Sequence, residues 1–222
     1  MMRSPETLYP HLSRLLLAGA TGLIGQTALT LALASPRVTH VIAPTRRPLP
    51  AHPKQLNPVV DFDALPGDAE WWQVDAVACA LGTTIRDAGS QAAFHRVDHD
   101  YPLAIARLAH AHGAHAFALV SALGADPASR VFYSRTKGEV EQALESIGFD
   151  SLTLLRPGLL GGDRTQHRAG ERWAQRIFGA LGPVLPRRYR VVPPERVASA
   201  LVSAALDARP GRHVVPSEQL LG

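Results

Sequence analysis

The chain has 222 residues, 46% of them hydrophobic, and a formal net charge of +4. This length suits one α/β domain spanning residues 1–222, and the apolar fraction argues against a disordered chain. The single cysteine, Cys79, excludes an internal disulfide, and no apolar run reaches the roughly 20 residues of a membrane-spanning helix. Because residues 1–11 also lack a signal-peptide pattern, the sequence predicts a cytoplasmic protein without an integral membrane segment.

The first half of the chain alternates between strands and a helix. The sequence predicts strands at residues 14–18, 38–43, 59–62 and 74–81 and a helix at residues 25–34. Residues 1–12 are expected to form a flexible lead-in. Residues 48–58 contain four prolines and are expected to form a loop.

The second half continues the alternation. We predict helices at residues 92–112, 133–146, 170–181 and 194–206, and strands at residues 116–121, 152–155 and 212–215. In the first of these helices we allow for a break at residues 101–102, because Pro102 lies there. The pattern predicts a Rossmann-type, doubly wound parallel sheet with helices on both faces. Residues 159–192 are expected to form a small C-terminal helical cap on the substrate side. For the helix at residues 170–181 within it, a dimer face or a membrane-surface contact is the alternative.

A glycine-rich turn joins the first strand to the first helix. Gly19 permits a sharp turn, Gly22 leaves room for a pyrophosphate at the backbone, and Gly25 lets the helix pack closely against the strand. Free N–H groups at the helix start would face the anion. The spacing G-x-x-G-x-x-G differs from the standard G-x-G-x-x-G fingerprint, so an ordinary strand–helix loop is the alternative.

Arg46 and Arg47 follow the second strand, where NAD-binding proteins usually place an acidic residue. No acidic residue occurs between Val38 and Leu56. Arginine at this position accommodates a 2′-phosphate. The sequence therefore predicts NADP(H) rather than NAD(H), with two exposed loop arginines as the alternative.

Ser121, Tyr133 and Lys137 form a candidate catalytic set. Tyr133 and Lys137 lie four residues apart and so share one face of a helix, and Ser121 ends the preceding strand. Lys137 is one of only two lysines in the chain. The phenol is suited to move a proton beside the ammonium, while Ser121 would donate a hydrogen bond to a substrate carbonyl.

The arginine-rich and histidine-rich stretches do not indicate a nucleic-acid site or a metal site. Residues 151–222 hold eleven arginines against five acidic residues, but no aromatic residues interleave them as in a nucleic-acid groove, so no nucleic-acid binding is expected. His110, His112 and His115 are close in sequence without a cysteine or an H-E-x-x-H pattern, so no metal site is predicted. His95 and His99 are four residues apart on a predicted helix, and a solvated face is favoured over a pocket lining.

The glycine turn, Ser121 and the Tyr133-x-x-x-Lys137 pair together resemble the short-chain dehydrogenase/reductase superfamily. The glycine spacing is similar to that of its extended and atypical branches. Further landmarks resemble the branch of the Tat-interacting-protein-like oxidoreductases. They lie at residues 46–47, 60–62, 81–84, 97–101, 124–126, 137–140 and 156–158.

The resemblance implies a role for each matching residue. The pyrophosphate would be cradled by Gly19, Thr21, Gly22, Leu23, Ile24 and Gly25. Arg46, with Arg47, would bind the 2′-phosphate; Asp61 and Phe62 would lie near the adenine; Leu81, Gly82 and Thr83 would pass the ribose and pyrophosphate; and Pro157 and Gly158 would flank the nicotinamide. Tyr133 would be the acid/base, Lys137 its partner in proton transfer and cofactor binding, and Ser121 the carbonyl binder.

The resemblance also has limits. Superfamily members often carry an asparagine in the helix after the fourth strand, and Asp98 or His99 is the nearest candidate here. The segment after Gly158 suffices only for a small cap, which disfavours a nucleotide-sugar epimerase. We expect an NADP(H)-dependent oxidoreductase, monomeric or homodimeric, acting on an unidentified small carbonyl or alcohol. The alternative is a non-catalytic NADP(H)-binding protein that signals through a protein partner.

Overall fold

Seven strands form one parallel sheet in the computed structural model, which describes residues 14–161, 186 and 190–221. In chain order they are β1 (Arg14–Ala18), β2 (His40–Ile42), β3 (Gln55–Leu56), β4 (Ala76–Cys79), β5 (Ala116–Val120), β6 (Ser151–Arg156) and β7 (Gly211–Pro216). Their spatial order is β3-β2-β1-β4-β5-β6-β7. The order reverses between β1 and β4, so a crevice opens at the carboxyl ends of these two strands. The predicted Rossmann-type sheet is confirmed.

Helices cover both faces of this sheet. They are α1 (Leu23–Ala34), α2 (Ile85–Ala88), α3 (Gln91–His95), α4 (Tyr101–Ala111), α5 (Phe132–Glu145) and α6 (Pro194–Asp207), and one turn of π-helix (Arg96–Asp100) joins α3 to α4. Leu15 of β1 packs in an apolar layer with α1 and α6. The next residue, Leu16, packs in the opposite layer with α4 and α5. This alternation explains why residues 15–18 of β1 are all apolar.

The third predicted strand is wrong in position. Residues 59–62 contribute only an isolated bridge between Val59 and Thr45, whereas β3 lies inside the proline-rich segment expected to be a loop. The prolines flank Gln55 and Leu56 without occupying them. Gln55 and Leu56 therefore keep the backbone N–H that proline lacks, and the N–H groups of Val41 and Ala43 donate to the carbonyls of Lys54 and Leu56 at 2.7 and 2.9 Å.

The helix after β4 differs from its prediction in where it is irregular. No break occurs at residues 101–102; the irregularity is the π turn just before them. A proline ring in a regular helix clashes with the carbonyl four residues earlier, here that of Asp98. The wider turn before Pro102 gives this ring room.

The other predicted elements within the described residues begin and end within two residues of their predicted bounds, whereas α2 was not predicted. The lead-in at residues 1–12, the helix at 170–181 and most of the predicted cap at 159–192 lie outside the described residues. Within the described ranges, no helix combines the length and apolar character needed to cross a membrane.

Gly22 and Gly25 differ in how closely the Gly19 carbonyl approaches them, and alanine substitution at each position tests this difference. A Cβ at Gly25 would lie 1.9 Å from the Gly19 carbonyl oxygen, whereas a Cβ at Gly22 would lie 3.4 Å from the same atom. We expect Gly25→Ala to lower the free energy of unfolding by about 1–3 kcal/mol and Gly22→Ala by less than about 1 kcal/mol. Urea denaturation measures both, and equal losses would contradict this assignment.

Candidate functional site

The glycine turn and the loop after β4 meet at the sheet crevice. Gly19 has a positive φ of 85°, and a Cβ there would lie 2.7 Å from backbone atoms of Ala80 and Leu81. The loop after β4 therefore runs directly against the turn. This contact places the start of α1 beside Leu81 and Gly82, at the edge where Rossmann-type sheets bind ligands.

At the start of α1 the backbone is accessible, while an apolar side chain of the first turn faces the protein interior. Thr21 and Gly22 are exposed, Leu23 is half-buried, and Ile24 belongs to the apolar core. The first N–H groups of a helix have no partner within it. Leu23 and Ile24 are thus placed to offer a ligand their backbone.

Arg46 and Arg47 stand exposed just after β2. Within the described ranges, neither guanidinium has a hydrogen-bond or ion-pair partner. The backbone beneath them is held by Asn57, whose Nδ2 donates to the Ala43 carbonyl at 2.6 Å and to Thr45 Oγ1 at 2.8 Å. Thr45 Oγ1 in turn donates to the Arg47 carbonyl at 2.7 Å. The loop is ordered while both charges remain available to an anion.

A buried ion pair lies at the other side of the crevice. Lys137 Nζ is 2.7 Å from Asp98 Oδ1, and their side chains are only 5% and 1% exposed. Asp98 Oδ2 accepts a 2.8 Å hydrogen bond from the Thr83 backbone N–H. A Cβ at Gly82 would lie 3.2 Å from Asp98 Oδ1. One carboxylate therefore ties together the loop after β4, the π turn and α5.

The pair keeps Lys137 charged. Burial of the ammonium lowers its pKa, but the neighbouring Asp98 carboxylate and the Tyr133 phenol act in the opposite direction and together prevail. The pKa of Lys137 is therefore raised above its ordinary value. A permanent positive charge sits beneath the crevice, shielded from water.

Tyr133 lies one helical turn before Lys137, on the same face of α5. Its side chain is more exposed, at 37%, and its ring lies 5.5 Å from that of Phe94. Phe94 is fully buried and so supports the tyrosine ring from below. The phenol reaches solvent while the ammonium does not, which suits proton exchange with a ligand from outside.

Ser121 is engaged by a different partner from the one expected. Its hydroxyl donates to Glu141 Oε1, which also accepts a 3.0 Å hydrogen bond from Arg156 Nε. Arg156 Nη2 pairs with the second oxygen of the same carboxylate. Ser121 and Glu141 are buried, so this network fastens the ends of β5 and β6 to α5. In this arrangement the Ser121 proton points to Glu141 and not to a carbonyl substrate.

The remaining predicted residues lie at the margins of the crevice. Asp61 is exposed and Oδ1 caps the backbone N–H of Asp63, while Phe62 is buried with its ring 5.5 Å from that of Tyr101. Gly158 follows the end of β6, after the buried Pro157, and its N–H donates to Ser217 Oγ at 3.0 Å. The structure thus brings Leu81, Gly82, Thr83, Tyr133 and Lys137 together around one ion pair, with the glycine turn alongside.

Several residues that organise the site carried no distinct sequence signal. Glu141 is one of many charged helix residues, and nothing in its spacing marks it as buried. Ser217 comes from the other end of the chain. Asp98 differs from these two, because its place four residues before Pro102, where a helix must be irregular, is a signal that the sequence does carry.

Curated relatives match most of the chain. Protein HTATIP2 of Rattus norvegicus is 41% identical over 168 residues, which cover 73% of this chain and 69% of that protein. Protein fmp52, mitochondrial, of Emericella nidulans is 35% identical over 176 residues, or 76% of each. No protein-family model matches.

Solved structures support the fold. MoeE5 in complex with UDP-glucose and NAD superposes with a TM-score of 0.69 over 91% of this chain and 75% of that one, at 17% identity. The chain thus shares a Rossmann-like fold with a protein solved with NAD bound.

The relatives overturn one sequence-based expectation. The Emericella nidulans protein and further Fmp52 relatives are named mitochondrial. The prediction of a cytoplasmic protein is therefore wrong. It rested on the missing signal-peptide pattern and the lone cysteine, neither of which distinguishes the cytosol from an organelle interior.

Proposed function

The chain belongs to the family of HTATIP2 and Fmp52, an atypical branch of the short-chain dehydrogenase/reductase superfamily, and from this premise we propose that it is an NADP(H)-dependent oxidoreductase. Its substrate is a small carbonyl compound or the corresponding alcohol. The observation that carries the proposal is the buried, charged Lys137 one turn from the exposed phenol of Tyr133, at the edge of the crevice.

The residues of the crevice fit a dinucleotide. Gly19 and Gly25 are required by contacts within the protein, but the space a Cβ would take at Gly22 is nearly free of protein atoms. The close approach of a ligand to the backbone explains why Gly22 is also a glycine. Gly19, Thr21, Gly22, Leu23, Ile24 and Gly25 would hold the pyrophosphate; Leu81, Gly82 and Thr83 the ribose; Asp61 and Phe62 the adenine side; Pro157 and Gly158 the nicotinamide side.

The protein's own chemistry concerns the proton. When bound, the cofactor supplies or accepts the hydride. Tyr133 then donates its phenolic proton to the carbonyl oxygen, or accepts it from the alcohol in the reverse direction. Lys137 stabilises the resulting phenolate by its charge, and Asp98 holds that ammonium in place.

The preference for NADP(H) is proposed from the two arginines after β2. Both are exposed, and the part of the chain that the structure describes offers them no acidic partner. A guanidinium forms strong, bidentate hydrogen bonds with phosphate. Arg46, with Arg47, would therefore bind the 2′-phosphate.

Calorimetric titration tests the cofactor assignment. We expect NADPH to bind more tightly than NADH, and Arg46→Ala to lower NADPH affinity about 10- to 100-fold, the equivalent of one charge-assisted contact. NADH affinity should stay nearly constant. Arg107→Ala is the matched control, because it removes an exposed arginine from α4. Equal affinity of the wild type for the two cofactors would refute the preference.

Ser121 supports a second candidate function. Its proton is donated to Glu141, so the expected carbonyl donor is occupied. A protein that binds NADP(H) and signals its state to a protein partner would need the crevice but not that donor. A panel of carbonyl compounds with NADPH separates the two: oxidation of NADPH supports the enzyme, and saturable binding without oxidation supports the signalling protein.

A further inference from the structure

Two histidines and an aspartate converge on the outer side of the π turn. The imidazole rings of His95 and His99 lie 4.4 Å apart, tilted by 32°. Asp100 Oδ1 is 2.7 Å from Nδ1 of His99 and 3.4 Å from Nδ1 of His95. Three potential ligand atoms, one from each residue, lie within 4.8 Å of one another. The phenol, ammonium and arginines of the proposed function are not part of this cluster.

The backbone geometry explains why these rings come together. In a regular helix, residues four apart are neighbours on one face. A π turn has a wider i→i+5 bonding pattern, and such turns are frequent at functional sites. Here it places His99 nearly above His95 and brings Asp100 alongside both.

The second nitrogen of His95 has a carboxylate of its own. Its Nε2 is 3.6 Å from Oε2 of Glu139, which belongs to α5. Imidazoles that bind metals commonly donate their other N–H to a carboxylate, which fixes the ring and its tautomer. Glu139 lies just beyond hydrogen-bond distance of His95 Nε2, so a small side-chain movement would form this bond and leave Nδ1 of His95 for the ion.

We propose that His95, His99 and Asp100 form a binding site for a divalent cation of the zinc type, with Glu139 as the carboxylate that orients His95. Tetrahedral zinc ligands lie about 3.3 Å from one another. The 3.4 Å between His95 Nδ1 and Asp100 Oδ1 already matches this spacing. The shorter His99–Asp100 contact is a hydrogen bond that must lengthen by about half an ångström as zinc displaces its proton.

The donor set defines the class of ion. Two imidazoles and one carboxylate suit zinc and other late first-row ions, whereas magnesium prefers an all-oxygen octahedron. The three side chains are partly exposed, at 36, 17 and 53%, so an ion has a path in and water can complete its coordination. The sequence predicts no metal site because the usual signals, cysteines and an H-E-x-x-H pattern, are missing. This cluster contains neither signal.

Calorimetry with ZnCl₂ tests the site on the 222-residue chain, without a polyhistidine tag and after dialysis against a chelator. We expect one zinc per chain at this site, no comparable binding of MgCl₂, and a loss of affinity of about tenfold or more in His95→Gln and in His99→Gln. Glu139→Gln should cost about tenfold, less than either histidine variant, because all three ligands remain. His52→Gln is the control, since His52 is exposed and outside the cluster.

Thermal unfolding provides a second readout. Zinc should raise the melting temperature of the wild type and of His52→Gln, and should do so less in the two ligand variants, because an ion that binds only the folded chain stabilises it. Unchanged zinc isotherms in His95→Gln and His99→Gln would overturn the proposal. So would magnesium binding as tightly as zinc. None of these readouts depends on NADP(H) turnover.

Discussion

Tyr133→Phe is expected to reduce carbonyl turnover by about 10²- to 10⁴-fold, the usual contribution of a positioned acid/base. The substitution removes only the phenolic oxygen, so the ring keeps its packing against Phe94. NADPH affinity should be nearly unchanged, because Lys137 and the glycine turn remain. Steady-state kinetics on a carbonyl that the wild type reduces, with calorimetry alongside, measures both quantities.

Tyr101→Phe is the matched control for this experiment. Tyr101 also lies on a helix near the crevice, and its hydroxyl interacts with Asp63 outside the proposed reaction. Its removal should leave turnover near the wild-type level. Unchanged turnover in Tyr133→Phe would contradict the catalytic assignment, whatever the control shows.

The features that the sequence predicts correctly depend on residues close together in the chain. The glycine turn could be predicted because the glycine spacing and the apolar pattern on either side of it lie within one short stretch of chain, and the strand, turn and helix are confirmed. The Tyr133–Lys137 spacing is likewise a property of one helix. Both predictions needed only the periodicity of a single element.

The partners of the buried groups could not be predicted in this way. Asp98 and Lys137 are 39 positions apart, and Ser121 and Glu141 are 20 apart, so their pairing follows from how β4, β5 and α5 pack. The sequence contains many acidic residues of equal local plausibility. Asp98 and Glu141 are distinguished by their burial, because a buried charge must be paired with another group.

Strand propensity alone gave the wrong position for β3. Val59, Val60 and Phe62 have high strand propensity, yet the strand forms at Gln55 and Leu56. The segment directly after β3 is fixed by Asn57, whose side chain donates hydrogen bonds to the Ala43 carbonyl and to Thr45 Oγ1 just beyond the end of β2. Sheet edges are where tertiary context most readily overrides propensity.

The second large effect concerns the ion pair, and Asp98→Ala is expected to lower the free energy of unfolding by about 3–5 kcal/mol. Its removal leaves the Lys137 ammonium buried without a counter-charge, and breaking a buried pair from one side is costly for that reason. The Thr83 N–H loses its acceptor as well. Urea denaturation gives the size of the loss.

Asp207→Ala provides the matched control, because it breaks an ion pair with Arg37 in which both side chains are about half exposed. Exposed pairs contribute about 0–1 kcal/mol, so this loss should be small. The double variant Asp98→Leu/Lys137→Met removes both buried charges and should recover most of the stability lost in Asp98→Ala. It should not recover turnover, because Lys137 is missing. If Asp98→Ala costs no more than Asp207→Ala, the pair does not hold the crevice together, and Lys137 must be positioned by packing alone.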